Sequence, residues 1–135
     1  MHKHADIIAA HARACVGTRF RAQGRAIGIG LDCIGVALLA AAAAGILFDV
    51  PLYALGGDRE AQLDAGLARQ GCVRVDPPRP GDLIVAAPAP GRRHLGVMTS
   101  AGVVHAHAGL GRVVEGPLDP EWQIVGAWRF PDSEA

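Results

Sequence analysis

The sequence predicts an α+β fold, with helices in the first half of the chain and a meander of about five short strands in the second. Helix-forming segments occupy about residues 5–71, and a proline-rich stretch ending at Pro80 separates them from short β-type runs at about 80–130. Gly, Pro and Ser mark the gaps between those runs, as is typical of an antiparallel meander or small open barrel. The chain has 135 residues and is expected to form one domain, 1–135.

Two of the predicted helices precede the middle of the chain. Ala5–Cys15 has helix-forming residues and is expected to end at Gly17. Asp32 opens an apolar segment that Gly45 is expected to terminate, and because this segment is apolar on all sides it should be buried. Its uncharged apolar run, Ile34–Phe48, has 15 residues. A membrane span needs roughly 20, so we expect no span here.

The remaining elements follow from local patterns. Asp58–Gln70 predicts a surface helix with Asp58 as its N-cap and Gly71 directly after its end. Thr18–Leu31 is expected to be a loop because three glycines interrupt it. The five predicted strands are Leu83–Ala87, Leu95–Thr99, Val103–Ala106, Arg112–Glu115 and Gln123–Phe130.

Composition excludes a nucleic-acid binder. Thirteen basic and thirteen acidic residues give a formal charge of zero, and two Trp, one Tyr and three Phe leave few platforms for stacked bases. The N-terminal segment Met1–Asp6 is polar and has no apolar secretion core. We therefore expect synthesis in the cytoplasm without a signal peptide.

Cys33 is the candidate nucleophile. The chain has three cysteines, Cys15, Cys33 and Cys72, without CxxC spacing, which favours one reactive thiol and two buried spectators over a disulfide framework. Cys33 lies where a glycine-rich loop meets a helix, and the unpaired N–H groups of a first helical turn favour a thiolate. Its pKa is therefore predicted to fall below about 8.5. The competing interpretation is a small buried apolar residue.

Three histidines supply the candidate base. Thr99–Gly102 predicts a hairpin, and pairing Thr99 with Gly102 places His94, His105 and His107 on one face of the sheet. The absence of a side chain at Gly96, opposite His105, leaves room for that imidazole to lean toward His94. A cysteine, a histidine base and a third orienting residue form a generalised catalytic triad. The competing interpretation is a solvent-facing polar face of an edge strand.

A zinc site is a further alternative. Cys33, His94, His105 and His107 offer four ligands of the types that zinc prefers. No carboxylate general base is linked to that cluster by a motif. We therefore expect no cofactor.

Four short motifs, in order, resemble those of the NlpC/P60 cysteine peptidases. They are Leu31–Val36 for the nucleophile, Pro80–Leu83 for the turn into the first barrel strand, His94–Val97 for the base and Val104–Ala106 for the third catalytic residue. Gly17–Arg21 occupies the place of the glycine-rich approach to the nucleophile, and the match runs from Ile7 to about Phe130. Val113–Leu118 and Gly126–Pro131 further resemble the phage-type subgroup of cell-wall peptidases.

The resemblance implies a papain-like fold, with Cys33 on a central helix and the histidines on a small sheet. It implies cleavage of peptidoglycan stem peptides next to D-glutamate, commonly between D-glutamate and the diamino acid. Cys33 would attack the carbonyl, His94 would take the thiol proton and later protonate the leaving amine, and His105 would orient His94. The backbone N–H of Cys33 would supply part of the oxyanion hole.

The chain departs from the family pattern at three positions. Phe20 replaces a tyrosine whose hydroxyl helps the oxyanion site, and losing such a donor can cost around 10² to 10³ in rate. Ile34 replaces a serine that, with the preceding aspartate, holds a free substrate amine; Asp32 remains, so an internal cut in a longer wall peptide is favoured. His107 is an alternative orienting residue.

Two functions therefore follow from the resemblance. One is a cell-wall peptidase that a phage tail or tail-like particle delivers, which would also explain action at the wall without a signal peptide. The alternative is a catalytically weak or inactive structural component of such a particle.

Overall fold

The computed structural model describes residues 3–131. Met1 and His2 of the polar N-terminal segment, and the last four residues of the predicted domain, lie outside the described residues. Helices precede a six-stranded antiparallel sheet, with a separate two-stranded sheet between the first two helices, so the fold is α+β as predicted.

Three α-helices form the first half of the chain. They are α1 (Lys3–Ala14), α2 (Cys33–Ala43) and α3 (Glu60–Arg69), and a 3-10 turn (Leu52–Leu55) lies between the last two. The residues that end them act as predicted, since Gly17, Gly45 and Gly71 all have positive φ angles. The predicted cap of the third helix is wrong, because Arg59 is the N-cap and Asp58 has a φ of 56°.

The large sheet contains the five predicted strands and a sixth. Its strands are β3 (Val73–Arg74), β4 (Leu83–Ala87), β5 (His94–Thr99), β6 (Gly102–His107), β7 (Arg112–Gly116) and β8 (Gln123–Arg129). Their order across the sheet is β3-β8-β4-β5-β6-β7. The prediction of five strands missed β3 because it has only two residues, both exposed, and carries no alternation of apolar and polar side chains.

The glycine-rich loop before α2 also contains structure that the sequence did not predict. It forms a small antiparallel hairpin of β1 (Arg25–Ala26) and β2 (Gly30–Leu31). Phe20 forms an isolated bridge with Leu31. A side chain at Gly24 or Gly30 would collide with neighbouring atoms of this hairpin. The glycines therefore permit close packing here rather than preventing regular structure.

The helix α2 packs against the sheet at the centre of the core. Seven of its residues are buried, and six of them join a cluster with buried side chains from β4, β5, β6 and β7. This matches the prediction that the apolar segment forms a covered central helix. No helix within residues 3–131 is both long enough and apolar enough to cross a membrane.

Candidate active site

Cys33 is the first residue of α2, and Asp32 caps the helix in front of it. The Asp32 carboxylate accepts a hydrogen bond from the Gly35 N–H at 2.8 Å, and the Asp32 carbonyl accepts one from the Val36 N–H at 3.1 Å. These bonds fix the first turn of the helix, as predicted for an N-cap aspartate. A side chain at Gly35 would lie 2.3 Å from the Gly24 carbonyl oxygen, so the glycine lets the preceding loop approach the helix closely.

The Asp32 carboxylate has two further partners in the loop before the helix. Its Oδ1 accepts a hydrogen bond from the Arg25 guanidinium at 2.8 Å, and its Oδ2 accepts one from the Gln23 N–H at 2.8 Å. Asp32 is buried. Its charge is therefore compensated by Arg25, and both oxygens are engaged within the protein.

Burial dominates the electrostatics of the Cys33 thiol. Loss of water raises its pKa to about 11, and the charge of Asp32 adds to the rise. Backbone N–H groups of Leu95, Ile34 and Cys33 lower the pKa, but they do not compensate for burial. The predicted fall in the thiol pKa is wrong, because the partial charge of a helix N-terminus is small beside the cost of burying a thiolate.

The structure brings His94 and His105 into contact. His94 Nε2 and His105 Nδ1 lie 2.8 Å apart, and the two rings meet edge to face with centroids 5.0 Å apart. His94 is the first residue of β5 and is followed by Leu95, whose N–H lowers the pKa of the Cys33 thiol. The imidazole pair is therefore held at the strand that also contacts the nucleophile candidate.

The hairpin of β5 and β6 has the predicted register near its turn. Thr99 pairs with Gly102, and the ladder continues through Met98↔Val103 to Val97↔Val104. Within the part of the chain that the structure describes, the ladder ends there and does not include His94 and His107, which the same register would place opposite each other. His94 pairs with Ala86 of β4 on its other side.

Gly96 allows the approach of the two histidine strands. A Cβ atom at this position would lie 2.4 Å from Val103 Cγ1 and 3.3 Å from His105 Cβ. The predicted space beside His105 is therefore present, and any side chain at Gly96 would close it.

His107 belongs to the same cluster but is bonded differently. Its ring centroid lies 5.7 Å from that of His105. Its Nδ1 accepts a hydrogen bond from the Leu110 N–H at 3.1 Å, so a neutral ring carries its proton on Nε2. The ring within hydrogen-bonding distance of His94 is thus that of His105.

Both members of the histidine pair are held neutral. Burial, together with the proximity of His105 and His107, lowers the pKa of His94 to about 4. Burial and the proximity of His107 lower the pKa of His105 to about 4. When His94 Nε2 donates to His105 Nδ1, His94 Nδ1 keeps a lone pair that can accept a proton. His94 can therefore accept a proton, and its lowered pKa makes it a weak base.

Trp122 is a component of the site that the sequence did not assign to it. The register explains its location, because Gln123 pairs with Ala87, and Ala86 pairs with His94 on the next strand. Trp122, one residue before β8, therefore reaches the same edge of the sheet as His94, and their ring centroids lie 5.1 Å apart.

Of the two other positions singled out by sequence, Ile34 directly follows Cys33, and Phe20 forms a bridge with Leu31. Ile34 is fully buried in α2, so its side chain belongs to the core. Phe20 is partly buried against the core, and its N–H bonds to the Gly111 carbonyl at 2.9 Å. A phenyl ring supplies no hydroxyl donor. Their roles in substrate binding stay predictions.

Among residues 3–131, no group of three or more His, Cys, Asp and Glu side chains is arranged to hold a metal ion. Cys15 and Cys72 are free and buried, as predicted for spectator residues.

The sequence matches no protein-family model and no curated protein. Solved structures do match. NlpC1 from Trichomonas vaginalis superposes with a TM-score of 0.73 at 15% identity, covering 93% of this chain and 44% of that one. The peptidoglycan hydrolase RipB from Mycobacterium tuberculosis gives 0.64 at 22% identity, covering 95% and 64%. The chain has the NlpC/P60 fold.

A third NlpC/P60 structure shows that this fold also serves proteins without activity. RipD from Mycobacterium tuberculosis, a non-catalytic NlpC/p60 domain protein adapted to peptidoglycan binding, has a TM-score of 0.62 at 19% identity, covering 93% of this chain and 95% of that one. The chain spans less than half the length of NlpC1. At these identities the likeness establishes the fold, and the activity must be argued from the site.

Proposed function

We propose that the chain is a cysteine peptidase of the NlpC/P60 type that hydrolyses peptidoglycan stem peptides. The observation that carries this proposal is the 2.8 Å contact between His94 Nε2 and His105 Nδ1. His94 lies on β5, and the N–H of the next residue, Leu95, lowers the pKa of the Cys33 thiol. A nucleophile, a base and an orienting residue on three adjacent elements form the arrangement that acyl transfer requires.

The protonation of the site determines how the first step proceeds. Because the thiol and both imidazoles are neutral near pH 7, His94 Nδ1 accepts the Cys33 proton as the sulfur attacks the peptide carbonyl. His105 accepts the His94 Nε2–H and stabilises the imidazolium. His94 then gives the proton to the leaving amine, and a water molecule hydrolyses the resulting thioester. The N–H groups of Cys33 and Ile34, which favour negative charge on the sulfur, are candidate donors to the oxyanion.

The surroundings of Asp32 support an internal cut in a longer wall peptide. Both carboxylate oxygens are engaged by Arg25, Gln23 and Gly35, which leaves the aspartate poorly suited to hold a free substrate amine. Ile34 supplies no hydroxyl beside it. Within this proposal the scissile bond joins D-glutamate to the diamino acid, in keeping with the family resemblance.

Delivery by a phage tail or tail-like particle is the finer part of the proposal. Its support is the resemblance of Val113–Leu118 and Gly126–Pro131 to phage-type cell-wall peptidases. Recovery of the chain with sedimenting particles from the producing culture is expected, and recovery only as free protein would remove this part.

A second candidate is a peptidoglycan-binding or particle component with little or no activity. Two observations favour it, namely the 9% exposure of Cys33 with its raised thiol pKa, and the phenyl ring of Phe20 in place of a hydroxyl donor. The hydrogen-bonded His94–His105 pair favours the peptidase, because a binding role alone does not need two hydrogen-bonded imidazoles.

Digestion of purified muropeptides separates the two candidates. The unmodified chain is expected to release products that mass spectrometry assigns to cleavage after D-glutamate, and Cys33→Ala to release none. Cys72→Ala is the matched control, since that thiol is also buried but lies outside the histidine cluster. Absence of products from the unmodified chain, with muropeptide binding retained, would establish the second candidate instead.

A further inference from the structure

A single aromatic side chain contacts all three histidines of the cluster. The Trp122 ring lies edge to face with His94 and with His105, at centroid distances of 5.1 Å and 5.9 Å. It stacks on His107 at 5.8 Å, with an angle of 20° between the planes. Since indole is both large and apolar, it removes water from whatever ring edges it covers.

The segment that carries Trp122 is itself fixed. The Asp119 carboxylate accepts a hydrogen bond from the Glu121 N–H, and the Asp119 carbonyl accepts one from the Trp122 N–H, both at 2.9 Å. Pro117 and Pro120 further restrict this connection between β7 and β8. On the opposite side, the Leu110 N–H holds the His107 ring against which the indole stacks. Trp122 is therefore clamped between an ordered turn and His107.

We propose that Trp122 is a positioning residue for the His94–His105 pair. Its indole covers the two rings, keeps them hydrogen-bonded to each other and orients His94 Nδ1 for proton transfer. The inference rests on the proposed function for its kinetic consequence, but its structural consequence does not depend on activity. His107 acts here as the support of the indole, which gives this third histidine a role other than that of the orienting residue.

The charged and titratable groups around the pair make its exposure measurable. The neighbouring elements carry the following charged and titratable groups: Cys33 on α2, His105 and His107 on β6, Arg112 opposite His107 on β7, and Asp119 and Glu121 beside Trp122. A carboxylate moving closer or water entering would each favour protonation of His94. Removing the indole should therefore move its titration toward the ordinary histidine value of about 6.5.

The test is NMR titration of the imidazole resonances in the folded, full chain. Trp122→Ala is expected to raise the titration midpoint of His94 by about one pH unit or more, toward the unperturbed value. Trp122→Phe keeps a ring over the pair and is expected to leave the midpoint within about 0.3 units of the unmodified chain. Glu121→Ala, an exposed neighbour on the same turn, is the control for local charge. If Trp122→Ala does not fold, Trp122→Leu replaces it.

The kinetic arm uses muropeptide cleavage by the same variants. Trp122→Ala should lower kcat by about 10-fold or more with KM changed less than about 2-fold, because misplacement of a base affects the chemical step. A rise in KM alone would make Trp122 a substrate-contacting wall and overturn the inference. Unchanged His94 midpoints in Trp122→Ala would overturn it as well. If the midpoints move but no chain cleaves muropeptides, the proposed function fails while the positioning of the pair by Trp122 stands.

Discussion

At the scale of single residues, burial decides the charge of Cys33, His94 and His105. Cys33 stays a thiol and His94 stays a neutral imidazole because each loses water that its charged form would need. The site thus differs from one in which a thiolate and an imidazolium pre-exist. Proton transfer from sulfur to His94 Nδ1 becomes part of the chemical step, which makes the orientation of His94 more important than its basicity.

This protonation state predicts slow alkylation of Cys33. Iodoacetamide reacts with the thiolate, and a pKa near 11 instead of about 8.5 lowers the thiolate fraction at pH 7 by roughly 100-fold or more. The labelling rate of Cys33, followed by peptide mass mapping, should therefore be about 100-fold below that of an unstructured cysteine peptide and rise steadily above pH 9.

Asp32→Asn is the matched variant for that measurement. It keeps a side-chain acceptor for the Gly35 N–H but removes the negative charge that raises the thiol pKa. Labelling should accelerate in this variant at a given pH. An inflection in the labelling rate of the unmodified chain below pH 8 would contradict the burial argument.

At the scale of elements, the site depends on how closely β5 and β6 approach. Gly96 lies in the middle of β5, with Val103 and His105 of β6 directly beside it. The helix α2 packs beneath the same two strands. A small displacement of β6 would therefore change both the His94–His105 contact and the packing of the core, since a dense core transmits strain.

Gly96→Ala is predicted to destabilise the fold by about 1–3 kcal/mol, as is usual for an inserted methyl group without space. The added Cβ would lie 2.4 Å from Val103 Cγ1 and 3.1 Å from the Val104 carbonyl oxygen, so the Val103 side chain or the β6 backbone must shift. Chemical denaturation measures the change in the free energy of unfolding. Gly56→Ala is the control, because a Cβ there meets nothing within 4 Å. Equal effects of the two substitutions would refute the close approach.

At the scale of the whole molecule, the neutral His94–His105 pair makes the free energy of unfolding depend on pH. Unfolded histidines titrate near 6.5, whereas burial lowers the pKa of His94 and of His105 to about 4 in the fold. Between these values the unfolded chain binds more protons than the folded one. The contribution of the pair to the free energy of unfolding is therefore complete above about pH 6.5 and is lost as the pH decreases toward 4.

Each of the two histidines should contribute about 1.4 kcal/mol per pH unit to this loss. Unfolding free energies from urea titrations between pH 4 and pH 7 measure the slope. His105→Gln is expected to remove about half of the histidine-linked slope. A variant slope identical to that of the unmodified chain would show that the pair is not held neutral.

Much of the fold followed from local patterns. The apolar segment after Asp32 predicted a buried central helix, and the capping of that helix by Asp32 follows from the side chain alone. Alternation and turn residues located β4 to β8 to within two residues at each end. The two-residue strands β1, β2 and β3 were missed because such short elements exist only through their pairing partners.

Less of the site could be predicted. The face shared by the three histidines followed from strand alternation and the Thr99–Gly102 turn, both of which are local. Trp122 was not recognised as part of the cluster, because the pairing of β8 with β4 brings it there across a long loop closure. The Arg25–Asp32 ion pair likewise depends on a hairpin that glycines were expected to prevent.

The sequence by itself determined which residue types stand at the start of the central helix and on one face of the histidine strands. Hydrophobic periodicity, capping and turn chemistry act between near neighbours, so they are readable from the chain. Only the tertiary structure decided that Cys33 and His94 are neutral, that His105 bonds to His94, and that Trp122 covers them. Desolvation and ring contacts are properties of packing between distant segments, and no local pattern carries them.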